Sequence, residues 1–451
     1  MCPDDTVATQ MRGVASASAE RGFASVLGKA RGVNVPARFS VGINYWPRRS
    51  AMAMWRRFDA GEIAEDFARI AGLGLDTVRF FLRWDDFQPA PDAMDDAMLA
   101  RMERVVTLAH DAGLRVMPTL FCGHMSGVNW LPAWTLDRAT PHGRFRTIAG
   151  DTESPYGIGD FYAGALLDAQ IVFVRAVGER LRGHPAIVAW DLGNEFSNLR
   201  EPRDPYVAAD WSRRLTKALR ETSGHAVVAG THGEDLTRDR ELRFATLCEP
   251  HAFATMHGYS VYSGFARDRL DAEVVPFLAS LAAAFSFKDV LFTEFGNPTC
   301  PPGKLSLYER VALPDEPPNP TVSPGDPIFA TYACLRESEN AAYCTAVLER
   351  LHADGRLGAY WWCWADYAAE LRDEPPFDRA PHEMSFGIVR SDGTEKPVAA
   401  ALAAFAREER TIVPSRDRPT VSDTYYYRTL PTSTRTLYDA FLKTIDDRRV
   451  R

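Results

Sequence analysis

Short runs rich in β-branched and aromatic residues alternate along the chain with longer segments whose apolar positions recur every three to four residues. This is the pattern of strands joined by helical crossovers in a parallel sheet. Eight such runs stand out: "SVGINYW" from Ser40, "TVRFFLR" from Thr77, "RVMPTLF" from Arg115, "IVAWDLG" from Ile187, "HAVVAG" from His225, "AFATMH" from Ala252, "DVLFTE" from Asp289 and "GAYWWCW" from Gly358. Between them lie amphipathic segments such as "EIAEDFARIAGLG", "DDAMLARMERVVTLAHDAG", "QIVFVRAVGERLRGH", "WSRRLTKALRETSG" and "ENAAYCTAVLERLHADG", most closed by a glycine where a helix C-cap belongs. Eight strand–helix units close a barrel, so the pattern predicts an α/β fold, a (β/α)8 TIM barrel.

Most units take about 28 to 38 residues, the size of a strand and helix with short loops. Two intervals are roughly twice as long. They follow the third strand (123–160) and the seventh (297–330), and strand-to-helix loops lie on the carboxyl face, where barrel sites are built. Trp130, Trp134 and Phe329 in these loops argue for walls around a pocket rather than floppy excursions. The expected organisation is a lead-in over 1–37, a catalytic barrel over 38–410 and a strap over 411–451 packed on it.

Composition narrows the function. A formal net charge of -8 argues against a nucleic-acid surface or an anionic membrane as partner. The start of the chain lacks the basic flank and apolar stretch of a signal peptide, and no apolar run of roughly 18 residues occurs, so a cytoplasmic protein is expected. The seven cysteines are an odd number without a C-x-x-C pair, which reads as reduced, buried thiols.

The stretch "IVAWDLGNEFSN" runs from apolar residues into Asp191, Asn194 and Glu195. Gly-Asn is ordinary turn chemistry, and a single Glu is usually a solvated or salt-bridged residue. The other strand ends change that weighing. Arg79 lies in the second strand, His124 closes the third, His257 and Tyr259 the sixth, Glu294 the seventh and Trp364 the eighth. Two glutamates at the ends of the fourth and seventh strands face one pocket from opposite sides, which is what glycoside hydrolysis requires. Asn44, Tyr45 and Trp46, Trp84 and Asp85, and His232 and Glu234 are further candidates for substrate contact.

This set resembles the glycoside hydrolases of clan A, most of all family five, over about residues 40 to 405. The residues that carry the resemblance are Arg79 in "TVRFFL", His124, Asn194 and Glu195 in "LGNE", His257 and Tyr259 in "HGY", Glu294 in "FTEFG" and Trp364 in "YWWCW". Phe196 stands where that family usually has Pro after the acid. The resemblance implies a retaining β-glycosidase with Glu195 as acid/base and Glu294 as nucleophile. Arg79 and Tyr259 would hold the nucleophile's charge, Asn194 would bind the sugar 2-hydroxyl, and His124 and His257 would orient sugar and carboxylates. Trp364 would offer its face to the sugar ring.

A metal-dependent hydrolase would need converging ligands, and the sequence has neither an H-x-H on the first strand nor an H-E-x-x-H helix, so no cofactor or metal is expected. A non-catalytic sugar-binding barrel is disfavoured because both glutamates are present. A cytosolic setting and two long loops that can close the ends of a cleft favour exo-action on short oligosaccharides. The text "NYWP", "GAYWWCWADY" and "FGIVRSDGTEKP" resembles the β-mannosidase-like branch of the family, which implies an exo-acting β-mannosidase. An endo-β-1,4-mannanase or endo-glucanase is the alternative, and nothing in the sequence bears on oligomeric state.

Overall fold

The computed structural model describes residues 38–300, 335–415 and 421–449. All eight runs are strands: β1 Ser40–Tyr45, β2 Thr77–Arg83, β3 Arg115–Cys122, β4 Ala189–Asn194, β5 Ala226–Gly230, β6 Ala254–His257, β7 Val290–Phe295 and β8 Gly358–Trp361. They form one parallel sheet that runs in chain order and pairs β8 back to β1. The remaining seam, β5 to β6, is joined by His257 N donating to Thr231 O at 2.9 Å and Thr231 Oγ1 to Thr255 O at 2.7 Å. The sheet is therefore a (β/α)8 barrel.

The helices outside it are α1 Ala60–Gly72, α2 Asp96–Asp111, α3 Gly164–Arg180, α4 Pro205–Ser223, α5 Val274–Ser286, α6 Glu337–Ala353 and α7 Pro397–Arg407. Asp59, Asp95 and Asp204 cap α1, α2 and α4 by accepting from the first-turn amides. The helix α5 carries no amphipathic signature because almost every position in "VVPFLASLAAAFS" is apolar, and a helix apolar all round needs cover on every side. A C-terminal helix, α8 Thr432–Arg449, supplies it. Tyr438 lies 4.9 Å from the Phe277 ring and donates to Asp271 at 2.6 Å, while Tyr427 just before α8 donates to Asp235 O at 3.1 Å.

Inside the barrel, Met117, Val228, Leu291 and Tyr360 make an apolar plug. Towards the carboxyl ends the inward residues turn polar: Asn44, Arg79, Thr119, Asp191 and Glu294 are all buried. This layer positions the site. The loop after β3 is built from short strands, with His124–Met125 antiparallel to Val128–Trp130, which pairs in turn with Arg146–Ala149. In the loop after β7, residues 301–330 lie outside the described residues.

Cys122, Cys248, Cys344 and Cys363 are free and buried. The expectation of reduced thiols throughout fails at Cys300, which is disulfide-bonded. Among the described residues no helix is long and apolar enough to cross a membrane.

Candidate active site

The end of β4 departs from regular strand geometry. Its pairing with β5 shifts register between Asp191 and Asn194, and a side chain at Gly230 would meet Gly193 O at 2.0 Å, so two glycines let the backbones touch there. Glu195 follows with φ of 46° and ψ of 43°, a left-handed conformation that costs a non-glycine residue on the order of 1 to 3 kcal/mol. Its amide donates to Gly230 O at 2.9 Å, which holds the turn and aims the carboxyl over the barrel mouth.

Glu294 ends β7 and sits in a different setting. Arg79 Nη1 donates to its Oε1 at 2.5 Å, and Tyr259 Oη donates to its Oε2 at 2.6 Å. The Arg79 guanidinium is fully buried and spends its other donors on Asp191 Oδ2 (2.8 and 3.0 Å), Asn44 Oδ1 (3.0 Å) and Asn194 Oδ1 (3.0 Å). A buried cation needs such partners, and two carboxylates on one guanidinium leave its charge fully used.

The two glutamates meet around His257. Its Nδ1 lies 3.2 Å from Glu195 Oε1 and 3.5 Å from Glu294 Oε1, and one oxygen of each carboxyl together with the ring nitrogen falls within 4.8 Å. Such proximity belongs with the close carboxyl spacing of about 5 to 5.5 Å that retaining glycosidases use, not the wider inverting spacing. Burial raises the pKa of both carboxyls. At Glu195 burial is joined by the charges of Glu294, Asp235 and Glu234 and carries the group well above its ordinary range. At Glu294 burial is opposed by Arg79 and by the Tyr259 hydroxyl. The arrangement favours a proton on Glu195 and a charge on Glu294.

The imidazoles are neutral. Burial lowers His257 well below its ordinary value and takes His124 down to about 3. His124 Nδ1 pairs with Asn129 Oδ1 at 2.8 Å, while its Nε2 lies 3.9 Å from Glu195 Oε2. Asn194 Nδ2 donates to His124 O at 3.0 Å, leaving its second hydrogen for a ligand.

Arg79, His124, Asn194, Glu195, His257, Tyr259 and Glu294 thus come together as the sequence predicts, but Asn44, Trp84 and Trp364 do not join them as substrate contacts. Asn44 is wholly buried beneath Arg79, and its amide donates to Thr293 O and Trp361 O. Trp84 opens the short helix Trp84–Phe87, donates to Gln88 Oε1 at 2.6 Å and packs among Phe121, Trp134 and Phe161. Trp364 is 1% exposed, hydrogen-bonds Asp66 of α1 and carries Arg69 over its ring at 5.3 Å, so it belongs to the layer between barrel and helix. The indole near the pocket is Trp362, which stands edge-on to Phe81 and hydrogen-bonds Glu383. Tyr45 likewise points to Asp66, and Trp46 stacks on Phe81 in the core.

Sequence reasoning missed several residues. Asn198 Nδ2 donates to Glu195 Oε2 at 3.1 Å, and Arg240 holds Asn198 by its Oδ1 at 2.8 Å. Glu234, one of the candidates, does not reach the pocket's centre but joins Arg240 to Arg144 of the loop after β3. His232 lies 3.9 Å from Glu195 Oε2 and pairs with Ser197 at 3.0 Å. The polar run "FSN" after Glu195 was the available signal for Ser197 and Asn198; Arg240 and Glu383 sit in loops without periodicity.

Comparison with known proteins gives the family. The model of the cellulase domain of glycosyl hydrolase family 5 matches residues 46–301, more than half of the chain. The chain belongs to glycosyl hydrolase family 5. As a member it is a retaining glycosidase. Among solved structures it is similar to the exo-β-1,4-mannosidase Op5Man5 of Opitutaceae bacterium strain TAV5, with 26% identity and a TM-score of 0.65 over 83% of this chain. The chain spans 60% of the length of that enzyme. A GH5_18 protein of Streptomyces cattleya, solved with GlcNAc, shares the fold over 92% of both chains at 21% identity and a TM-score of 0.71. Its E153A form, solved with Manβ1-4GlcNAc, aligns at 22% identity and a TM-score of 0.70 over 91% of this chain and 92% of its own. Among curated proteins none matches the chain.

Proposed function

We propose that this family 5 glycosidase is an exo-acting β-mannosidase on short oligosaccharides, with Glu294 as nucleophile and Glu195 as acid and then base. Glu294, held ionised by Arg79 and Tyr259, attacks the anomeric carbon while Glu195 protonates the departing oxygen. The glycosyl ester that forms has no charge on Glu294. Part of what raised the Glu195 pKa is then gone, so the same carboxylate takes a proton from the water that releases the sugar. Asn194 faces the sugar 2-hydroxyl with its remaining hydrogen.

The observation that carries the exo reading is that the loops after β3 and β8 meet. Ser126 Oγ donates to Glu383 Oε2 at 3.0 Å, Arg146 Nη1 reaches Asp378 Oδ2 at 2.8 Å, and Arg379 grips Glu153 through both carboxylate oxygens at 3.2 and 2.9 Å. The outer pair, exposed at both ends, contributes little alone. Together the three contacts span the gap between two loops, and a chain crossing there would have to part them. The sequence assigned this closure to 123–160 and 297–330; the β8 loop shares it with the first of these, and residues 301–330 of the second lie outside the described residues. Mannose as the sugar is supported by the likeness to the exo-β-1,4-mannosidase of Opitutaceae bacterium.

Product analysis tests the proposal. With reducing-end-labelled mannotetraose, the expected first products are mannose and the labelled trimer. Early labelled dimer, or rapid loss of viscosity on mannan, would replace the exo reading with an endo-β-1,4-mannanase.

A further inference from the structure

Glu383 is a third carboxyl of the pocket that the double displacement does not use. It lies on the 3-10 turn Pro381–Ser385 of the loop after β8 and is 8% exposed. Three donors from three walls converge on it: Tyr262 Oη at 3.0 Å on Oε1, Ser126 Oγ at 3.0 Å on Oε2, and the Trp362 side chain. A carboxylate offers about four lone-pair sites, so the donors found among the described residues do not saturate it. Tyr262 also pairs with His382 Nε2 at 3.1 Å, and that nitrogen lies 3.5 Å from Glu383 Oε1.

Its place along the cleft follows from its neighbours. The Tyr262 ring lies 5.3 Å from the Tyr259 ring, and Tyr259 is the donor to Glu294. The charge of Glu294 acts on Glu383, and Glu294, Glu195 and Glu383 all act on Tyr259. Through Tyr262 and Tyr259 the Glu383 carboxyl is joined to the nucleophile's side of the pocket, which the sugar under attack must enter. The acid's other side is bounded by Asn198 and His232 from the β4 and β5 ends.

We infer that Glu383, set by Tyr262, Ser126 and Trp362, ends the cleft and selects the terminal sugar by accepting one of its hydroxyls. The inference rests on the exo reading and names the group that enforces it. A sugar substituted at that hydroxyl would lose the hydrogen bond and push its substituent into the contact between Ser126 and Glu383. A site built to hydrogen-bond a hydroxyl rejects the analogue that lacks it far more strongly than an apolar pocket can, because its own polar group is left unpaired.

The test pairs variants with altered substrates. Aryl β-mannosides lacking one ring hydroxyl at a time are hydrolysed by the wild-type enzyme and by Glu383→Gln, which keeps the shape and the fold. Glu383→Gln is expected to lower kcat/KM by about 10- to 100-fold on the parent glycoside, equally for good and poor leaving groups. For one deoxy position the two enzymes should become equal, since the partner hydroxyl is gone from both. Ser126→Ala, which leaves the carboxyl itself in place, should show a smaller loss that vanishes at the same position. A loss in Glu383→Gln that persists at every deoxy position would overturn the inference and leave the exo reading standing. Internal cuts by the wild-type enzyme in end-labelled mannotetraose would instead remove the exo reading itself.

Discussion

Two glutamates separated by one imidazole occupy contrasting surroundings at the mouth of the barrel. Around Glu294 the groups come from the barrel wall: a guanidinium from β2 that also grips Asp191 of β4, and a phenol just beyond β6. Around Glu195 the contacting groups are uncharged: the Asn198 amide from the turn after β4 and the neutral ring of His257 at the end of β6. The same residue type is thus given a fixed cation on one side and, among the described residues, none within contact on the other. Environment, not identity, separates the proposed nucleophile from the proposed acid, which is the general way a pair of carboxyls acquires two functions.

Removing each member of the pair should break that asymmetry in different ways. Glu294→Ala is expected to lose about 10⁴-fold or more in kcat on every substrate, with recovery by azide and formation of the inverted glycosyl azide as the measured product. Glu195→Ala should lose about 10² to 10⁴-fold on glycosides with poor leaving groups and far less on dinitrophenyl glycosides, which need no proton. Equal losses for both variants on both substrate classes would erase the distinction drawn between the two sites.

A smaller effect sharpens the acid's side. As the proposed acid, Glu195 carries its proton into the first step, so kcat/KM is expected to fall as pH rises through its pKa, and burial and the Glu294 charge place that limb well above the ordinary carboxyl range. The Asn198 amide donates to the ionised carboxyl and so favours the charged form. Asn198→Ala should therefore move the basic limb up by about half a unit while leaving the acidic limb in place. A downward shift would show that Asn198 does not act on Glu195.

The smallest expected change separates the two tryptophans. Trp362→Ala should raise KM for the short substrate by about tenfold, the scale of one lost aromatic contact. Trp364→Phe should leave KM unchanged and lower thermal stability by a few degrees, through the lost hydrogen bond to Asp66.

These tryptophans show where the sequence was and was not legible. Apolar runs and amphipathic spacers disclosed every barrel strand, because a strand buried on both faces must be apolar and its polar terminus then stands out. Glu195 and Glu294 were readable for that reason. Trp364 was misplaced because β8 ends at Trp361, so the alternation of a strand no longer says which way the following indoles face. Asp191 carried no visible function because the register shift at Gly193 hides that it shares the inward face with Asn194. Glu383 sits in a loop, where proximity to Ser126 and Tyr262 is a property of the fold alone.

Glu294, not Glu195, is the residue proposed to form the covalent bond to the sugar. Incubation with a 2-deoxy-2-fluoro-β-mannosyl fluoride, followed by proteolysis and mass spectrometry of the labelled peptide, tests it directly. One adduct per chain is expected, located on Glu294 within "FTEFG". An adduct on Glu195, or full turnover without any adduct once Glu294 is replaced by Gln, would contradict it.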